Sequence, residues 1–224
     1  MTDRLKIWLA AFVATTAAVV FCYAFVDRPV AFYAYAHLVQ NRASFDVLVQ
    51  ISEYLFVAAA IVFALFGLRA LVTMRWEKWH AVLLLCGITL AVAETIKDEL
   101  KFVFGRTWPE TWTNNNPSLI GNGTYGFNPF HGGGGYASFP SGHTTAVCAV
   151  VAVLWLAYPK LRPLWAMIVV AVVVGLVGAD YHFVSDIIAG GFLGSSTGWL
   201  AVTLWDESKM PRMRDGGSAP PNGG

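Results

Sequence analysis

The sequence predicts an all-α integral membrane protein with six transmembrane helices and an ordered extracytoplasmic loop between the third and fourth. Three observations carry that prediction. Of the 224 residues, 56% are hydrophobic and only 13% charged, whereas soluble domains are about half apolar and about a quarter charged. The apolar residues gather into six runs, each near the ~20 residues a bilayer crossing needs. The basic residues, finally, concentrate in alternate linkers.

In order, the runs extend from Leu5 to Val26, Tyr54 to Met74, Trp79 to Ile96, His143 to Tyr158, Leu164 to Ala179, and Phe183 to Trp205. The first follows Arg4 and Lys6, as a signal peptide would. Its apolar part is longer than a signal core and lacks a small-residue cleavage site, so it reads as a retained anchor. Arg4, Lys6, Arg69, Arg75, Lys78, Lys160, Arg162, Lys209, Arg212 and Arg214 fall on one side of the six runs. Basic linkers mark the cytoplasmic face, which puts both termini inside. The mixed aromatic and polar segment around Ala31–Val49 suits a helix lying along the interface. Residues 1–210 read as one domain and 211–224, rich in Gly and Pro, as a flexible tail.

A net charge of +1 leaves no footprint for nucleic acid. Cys22, Cys86 and Cys148 all lie inside apolar runs, where Cys acts as a small hydrophobe. They show neither metal-ligand spacing nor an even-numbered disulfide framework. The loop from Lys97 to Gly142 is too long for a structureless connection in a compact domain. It carries Trp108, Trp112, Tyr125, Phe127, Phe130 and Tyr136, which disordered segments seldom hold, and so reads as an ordered cap. Those aromatics suit an interfacial belt better than a sugar-stacking role.

Three constellations bear chemistry. Pro140-Ser141-Gly142-His143 opens an apolar run, so Ser141 is a natural N-cap and His143 sits on the first helical turn. The exposed N–H groups and dipole of that turn form a site for an anion such as phosphate. In Tyr181-His182-Phe183-Val184-Ser185-Asp186, His182 and Asp186 are four apart and share a helix face. A carboxylate on one ring nitrogen fixes the tautomer and frees the other. Lys97 and Lys101, also four apart, end the third run, and Arg106 follows. Alternation of the spans brings all three to one membrane face. Two imidazoles, a carboxylate and cations suit phosphoryl transfer through a phosphohistidine. No metal or other cofactor is expected, because no carboxylate cluster is available to hold an ion. His131 is expected to be an exposed loop residue, and His37 and His80 lie away from the site. Asp180 is either a partner of the His182 turn or a solvated cap.

On these residues the chain resembles the type 2 phosphatidic acid phosphatase family, which shares its motifs with vanadium haloperoxidases. The family pattern is Lys-x6-Arg-Pro, Pro-Ser-Gly-His and Ser-Arg-x5-His-x3-Asp. The second motif is complete at 140–143, the third keeps His182 and Asp186, and the first keeps Lys101 and Pro109. The resemblance, over roughly 50–205, implies His182 as nucleophile, Asp186 as its orienting group and His143 as the acid. It also implies that Lys101, Lys97, Ser141, Gly142 and Arg106 hold substrate. Two family arginines are replaced, one by Trp108 and one, with its preceding Ser, by Gly175-Leu176. Arg106 and Lys97 are the candidate substitutes. The implied protein is a lipid phosphatase of a bacterial-type inner membrane, its substrate a lipid phosphate or diphosphate at the periplasmic face. A lipid phosphotransferase and a non-catalytic lipid-binding member are the alternatives.

Overall fold

Helices make up nearly all of the regular structure in the computed structural model, which describes residues 3–73, 78–112 and 115–205. They are α1 (Asp3–Phe25), α2 (Asp27–His37), α3 (Arg42–Thr73), α4 (Lys78–Phe104), the single turn α5 (Leu119–Asn122), α6 (Gly142–Ala157), α7 (Arg162–Gly178) and α8 (Val184–Leu204). Among the described residues no strand forms, only isolated bridges within the loop after α4. Among the described residues, four helical stretches are long and apolar enough to cross a membrane: Asp3–Phe25, Lys78–Phe104, Pro159–Gly178 and Val184–Leu204. Helix α6 is apolar but only 16 residues long. The expected run to Met74 falls in α3, and Met74 itself lies outside the described residues, as does the 211–224 tail.

Helices α6 and α8 form the centre of the packing. Gly190, Gly194 and Gly198 recur every four residues along α8, making a stripe that admits close backbone approach. A Cβ at Gly190 would stand 2.5 Å from the Ser141 carbonyl oxygen, and one at Gly194 would stand 2.2 Å from that of Thr145. Only hydrogen fits at either position. On one flank Val49, Val147, Val151, Val172, Leu176 and Ile187 close a core between α3, α6, α7 and α8. On the other flank Val82, Leu85, Cys86 and Leu90 of α4 meet Ala146, Val150 and Val153 of α6. Helix α1 lies against α8, where Trp8 Nε1 donates to Ser196 Oγ at 3.2 Å. Its remaining faces carry exposed Phe12, Val13, Val20 and Phe21, as a lipid-facing helix does.

The segment expected to form one interfacial helix over 31–49 is divided instead. Helix α2 stops at His37, a short turn spans Val39–Asn41, and residues from Arg42 onward begin α3. The break lets α2 turn its small face inward: Ala31 and Ala34 are buried, as is Asp27 at its first position. Helix α4 runs on to Phe104, two turns beyond the expected end, so Lys97 and Lys101 both remain helical. Gly105 then turns the chain at φ +55°, where a Cβ would lie 1.8 Å from the Asn128 carbonyl oxygen.

Candidate active site

Pro140–His143 folds as its sequence dictates. Ser141 is the N-cap of α6, its hydroxyl accepting from Thr144 N at 3.4 Å. Its own N–H donates to the Asp186 carbonyl oxygen at 3.1 Å, tying the start of α6 to the start of α8. Ser141 is fully buried and Gly142 faces a cavity of about 610 Å³. The Ser141 hydroxyl is therefore committed to the cap, and of this pair Gly142 meets the open space.

That cavity collects most of the expected residues. Lys97, Lys101, Gly142, His143 and His182 line it, together with Trp108, Trp112 and residues of α3. A Cβ on Gly142 would stand 3.7 Å from Lys97 Nζ and 3.8 Å from Lys101 Nζ. Two ammonium groups thus converge over a helix N-terminus, three sources of positive potential at one point. Lys97 Nζ also pairs with Glu94 at 2.6 Å and Asp98 at 2.9 Å, so part of its charge is already neutralised. The rings of His143 and His182 are 6.1 Å apart, centre to centre. His143 Nε2 is 3.8 Å from Glu53 of α3.

His182 lies in the turn between α7 and α8, its Nδ1 3.5 Å from Asp186 Oδ2. Nε2 is then the ring nitrogen left for the cavity. Asp186 also accepts from Ser138 Oγ at 2.6 Å, from Phe183 N at 3.1 Å and from Arg106 Nη1. These bonds fix the carboxylate from three further directions. Burial pulls the His182 pKa below its ordinary value, and the Asp186 hydrogen bond and charge, which act upward, do not overcome it. A neutral imidazole is the form that can attack.

Arg106 is the clear departure from expectation. Instead of reaching the cavity it is fully buried behind Asp186. Nη1 binds Asp186 and donates to Ser185 Oγ at 2.6 Å; Nη2 binds Asp27 Oδ2 at 2.7 Å and Tyr125 OH at 3.2 Å. Five aromatic rings, those of Tyr23, Tyr125, Phe127, Phe139 and Phe183, lie 4.5–5.9 Å from its guanidinium carbon. A guanidinium shared by two carboxylates and enclosed by rings is a positioning group, unavailable to a phosphate in the cavity. Asp27 completes this arrangement by accepting Ser185 N at 3.0 Å and the Ser185 hydroxyl.

Neither missing arginine position is vacant. Trp108 lines the cavity, its ring 5.1 Å from that of His182 and its Nε1 donating to the Gly134 carbonyl at 2.7 Å. Leu176 is buried in the apolar core, while Gly175 admits Phe45 and Leu48 of α3. Asp27, Glu53, Asp46 and Trp112 were not identified as site residues from sequence. Each comes from a helix or loop remote in the chain, and none has a local motif to mark it. Among the described residues, no group of three or more His, Cys, Asp or Glu is placed to hold a metal ion.

The PAP2 superfamily model matches residues 81–210. The chain belongs to that superfamily. It is 34% identical over 118 residues to a lipid A 1-phosphatase of Rhizobium etli and 33% identical over 118 residues to one of Rhizobium johnstonii. Each alignment covers 51% of this chain, and 45% and 43% of the respective relatives, so the chain spans less than half the length of these curated relatives. A crystal structure of a transmembrane PAP2-type phosphatidylglycerolphosphate phosphatase from Bacillus subtilis superposes with a TM-score of 0.52 at 17% identity. That match covers 90% of this chain and 98% of the other. The apolar helices and the shared architecture make this an integral membrane protein of the PAP2 fold.

Proposed function

We propose that this protein is a metal-independent lipid phosphatase acting through a phosphohistidine. One observation carries the reading: His182, with Nδ1 toward Asp186, faces a cavity that also holds His143, Lys97, Lys101 and the N-terminus of α6. His182 Nε2 attacks phosphorus, the two ammonium groups and the α6 N–H groups hold the phosphoryl oxygens, and His143 gives its proton to the departing alkoxide. Water then attacks the phosphohistidine, with His143 as base, and releases phosphate. The names of the relatives favour a phosphate monoester on a lipid. Six crossings with both termini cytoplasmic would put the cavity at the periplasmic face of a bacterial inner membrane.

Phosphate release from lipid monophosphates by the detergent-solubilised chain tests this reading. His182→Ala should lower kcat by at least ~1,000-fold, as loss of an essential nucleophile does, and EDTA should leave the wild-type rate unchanged. Undiminished turnover by the variant would remove the covalent mechanism, and a loss with EDTA restored by a divalent cation would remove metal independence.

A further inference from the structure

Behind His182 the fold buries one more charge than an ion pair needs. Asp27, Arg106 and Asp186 have no exposed surface. Arg106 bridges the two carboxylates, to Asp27 through Nη2 at 2.7 Å and to Asp186 through Nη1. Asp27 is fixed in turn by the first turn of α8, where Oδ1 accepts Ser185 N at 3.0 Å and Oδ2 accepts the Ser185 hydroxyl. Removing a carboxylate from water is costly, and a neutral oxygen would serve to accept the Nη2 bond. One cation against two carboxylates leaves one negative charge over.

The reaction gives that charge a use. As His182 Nε2 bonds to phosphorus, the bond from phosphorus to the lipid oxygen breaks, and His143 passes its proton to that oxygen. The His182 ring keeps its own proton on Nδ1, toward Asp186, and so becomes positive. Negative charge already in place behind the ring favours that step, because nothing has to reorganise as the charge develops. Asp186 with Arg106 alone would be neutral as a pair. Asp27 restores the excess.

We propose that Asp27 is a positioning residue of the reaction, acting on His182 through Arg106 and Asp186 and supplying the negative charge that the phosphorylated ring requires. Its chemistry rests on the phosphatase reading, whereas the charge placed behind His182 is independent of turnover. The superfamily match begins at residue 81, so this residue of α2 lies outside it.

The charge behind His182 can be read from the pH at which its ring titrates. Lys97 and Lys101 of α4, His143 of α6 and Glu53 of α3 face it across the cavity, and Asp180 and Tyr181 precede it in the turn. Of the nearest charges, Asp186 acts upward on its pKa, and Lys101 and Arg106 act downward. All of these except Arg106 stay constant when only positions 27 and 106 are changed, so differences among such variants report the bridge.

Three variants of the full chain in detergent test the proposal. Asp27→Asn leaves the bridge neutral, Arg106→Gln leaves it two charges negative, and the double variant returns it to one. Each is followed by phosphate release from phosphatidic acid and phosphatidylglycerol phosphate. Each is also followed by nitrogen-15 NMR of histidine-labelled protein, the His182 signal being the one lost in His182→Ala. Asp27→Asn should lower kcat ~10- to 100-fold with KM nearly unchanged. Its acidic limb and its His182 titration should both move down by ~1 pH unit, because the neutral ring is then favoured. Arg106→Gln should move both upward. The double variant should return kcat and titration toward wild type, although it has lost two buried partners.

A purely structural bridge gives a different pattern, in which the double variant is the most damaged and the titration stays fixed. That pattern overturns the proposal. Asp27→Ser replaces Asp27→Asn if the latter does not unfold cooperatively. If neither gives a folded chain, Asp27 is a folding group and the proposal fails. If the His182 titration moves in the stated order and no lipid is hydrolysed, the charge placement stands and the phosphatase reading fails. If wild type hydrolyses lipid, His182→Ala does not, and the titration is the same in every chain or absent from all, the phosphatase reading stands and the proposal fails.

Discussion

At the residue scale, the site is governed by which ionisable groups the fold keeps neutral. Burial lowers the His182 pKa below the ordinary 6.5, so its neutral form persists as pH falls past that value. The acidic limb of kcat/KM should accordingly lie below pH 6.5, and a pH profile of phosphate release reads it directly. Asp180 is displaced in the other direction. Burial and the nearby Glu110 raise its pKa to about 7, with Arg42 acting against them. A carboxyl raised in the fold binds its proton more tightly there than in the unfolded chain. Its cost to stability is absent below about pH 4, grows as pH rises to about 7 and is constant above. Asp180→Asn should therefore raise the thermal unfolding midpoint by an amount that increases from pH 4 to 7 and then levels. The substitution suits the backbone, since φ is +57° at this residue and Asn tolerates that region. The placements legible in sequence were those that show in local spacing: Lys101, His143 and His182 on the cavity, with Asp186 beside His182. Arg106 misled because its neighbours in the chain resemble a phosphate-binding motif. Its direction is set by Asp27, 79 residues away, and no local pattern reports that.

At the element scale, the chemistry depends on how closely α8 approaches α6. The Ser141 N–H to Asp186 carbonyl bond and the glycine stripe hold the two helix starts in register. Gly194→Ala would push a methyl group to 2.2 Å from a backbone oxygen, and a backbone cannot swing aside as a side chain does. We expect a loss of about 1–3 kcal/mol, the usual cost of overpacking, seen as a lower unfolding midpoint in detergent. The apolar runs revealed four of these helices, α1, α6, α7 and α8, to within a few residues, whereas α3 starts well before its expected run and α4 ends well after it. The division between α2 and α3 was not legible, because Leu38-Val39-Gln40-Asn41 holds neither proline nor glycine. The buried face of α2 and the docking of α3 on α7 decide where the chain bends.

At the scale of the whole molecule, the arrangement makes a claim about sidedness. The cavity opens at the end of the bundle formed by the C-terminus of α4 and the N-termini of α6 and α8, while Lys160 and Arg162 lie at the opposite end of α6. Positive linkers favour the cytoplasm, so the cavity end should face away from it. Cys22, Cys86 and Cys148 are free and buried, which leaves a low background for thiol labelling. A membrane-impermeant maleimide added to intact cells should label Thr124→Cys and should spare Lys160→Cys until the membrane is opened. The reverse pattern would place the cavity inside. This orientation is an expectation from charge placement alone, and the basic linkers behind it are legible in the sequence. The acidic lining that α3 gives the cavity was not legible, because Asp46 and Glu53 read in sequence as ordinary polar residues near a span.

The Asp27–Arg106–Asp186 bridge also constrains how the molecule is made. Asp27 emerges from the ribosome 79 residues before Arg106 and 158 before Ser185. Until they arrive, sinking its carboxylate among apolar side chains would cost several kcal/mol with no compensating cation. Helix α2 must therefore wait at the aqueous boundary while the later helices insert. It closes over the back of the His182–Asp186 pair only when α4 and α8 are in place. The carboxylate that completes the site is thus among the first residues synthesised and among the last to be seated.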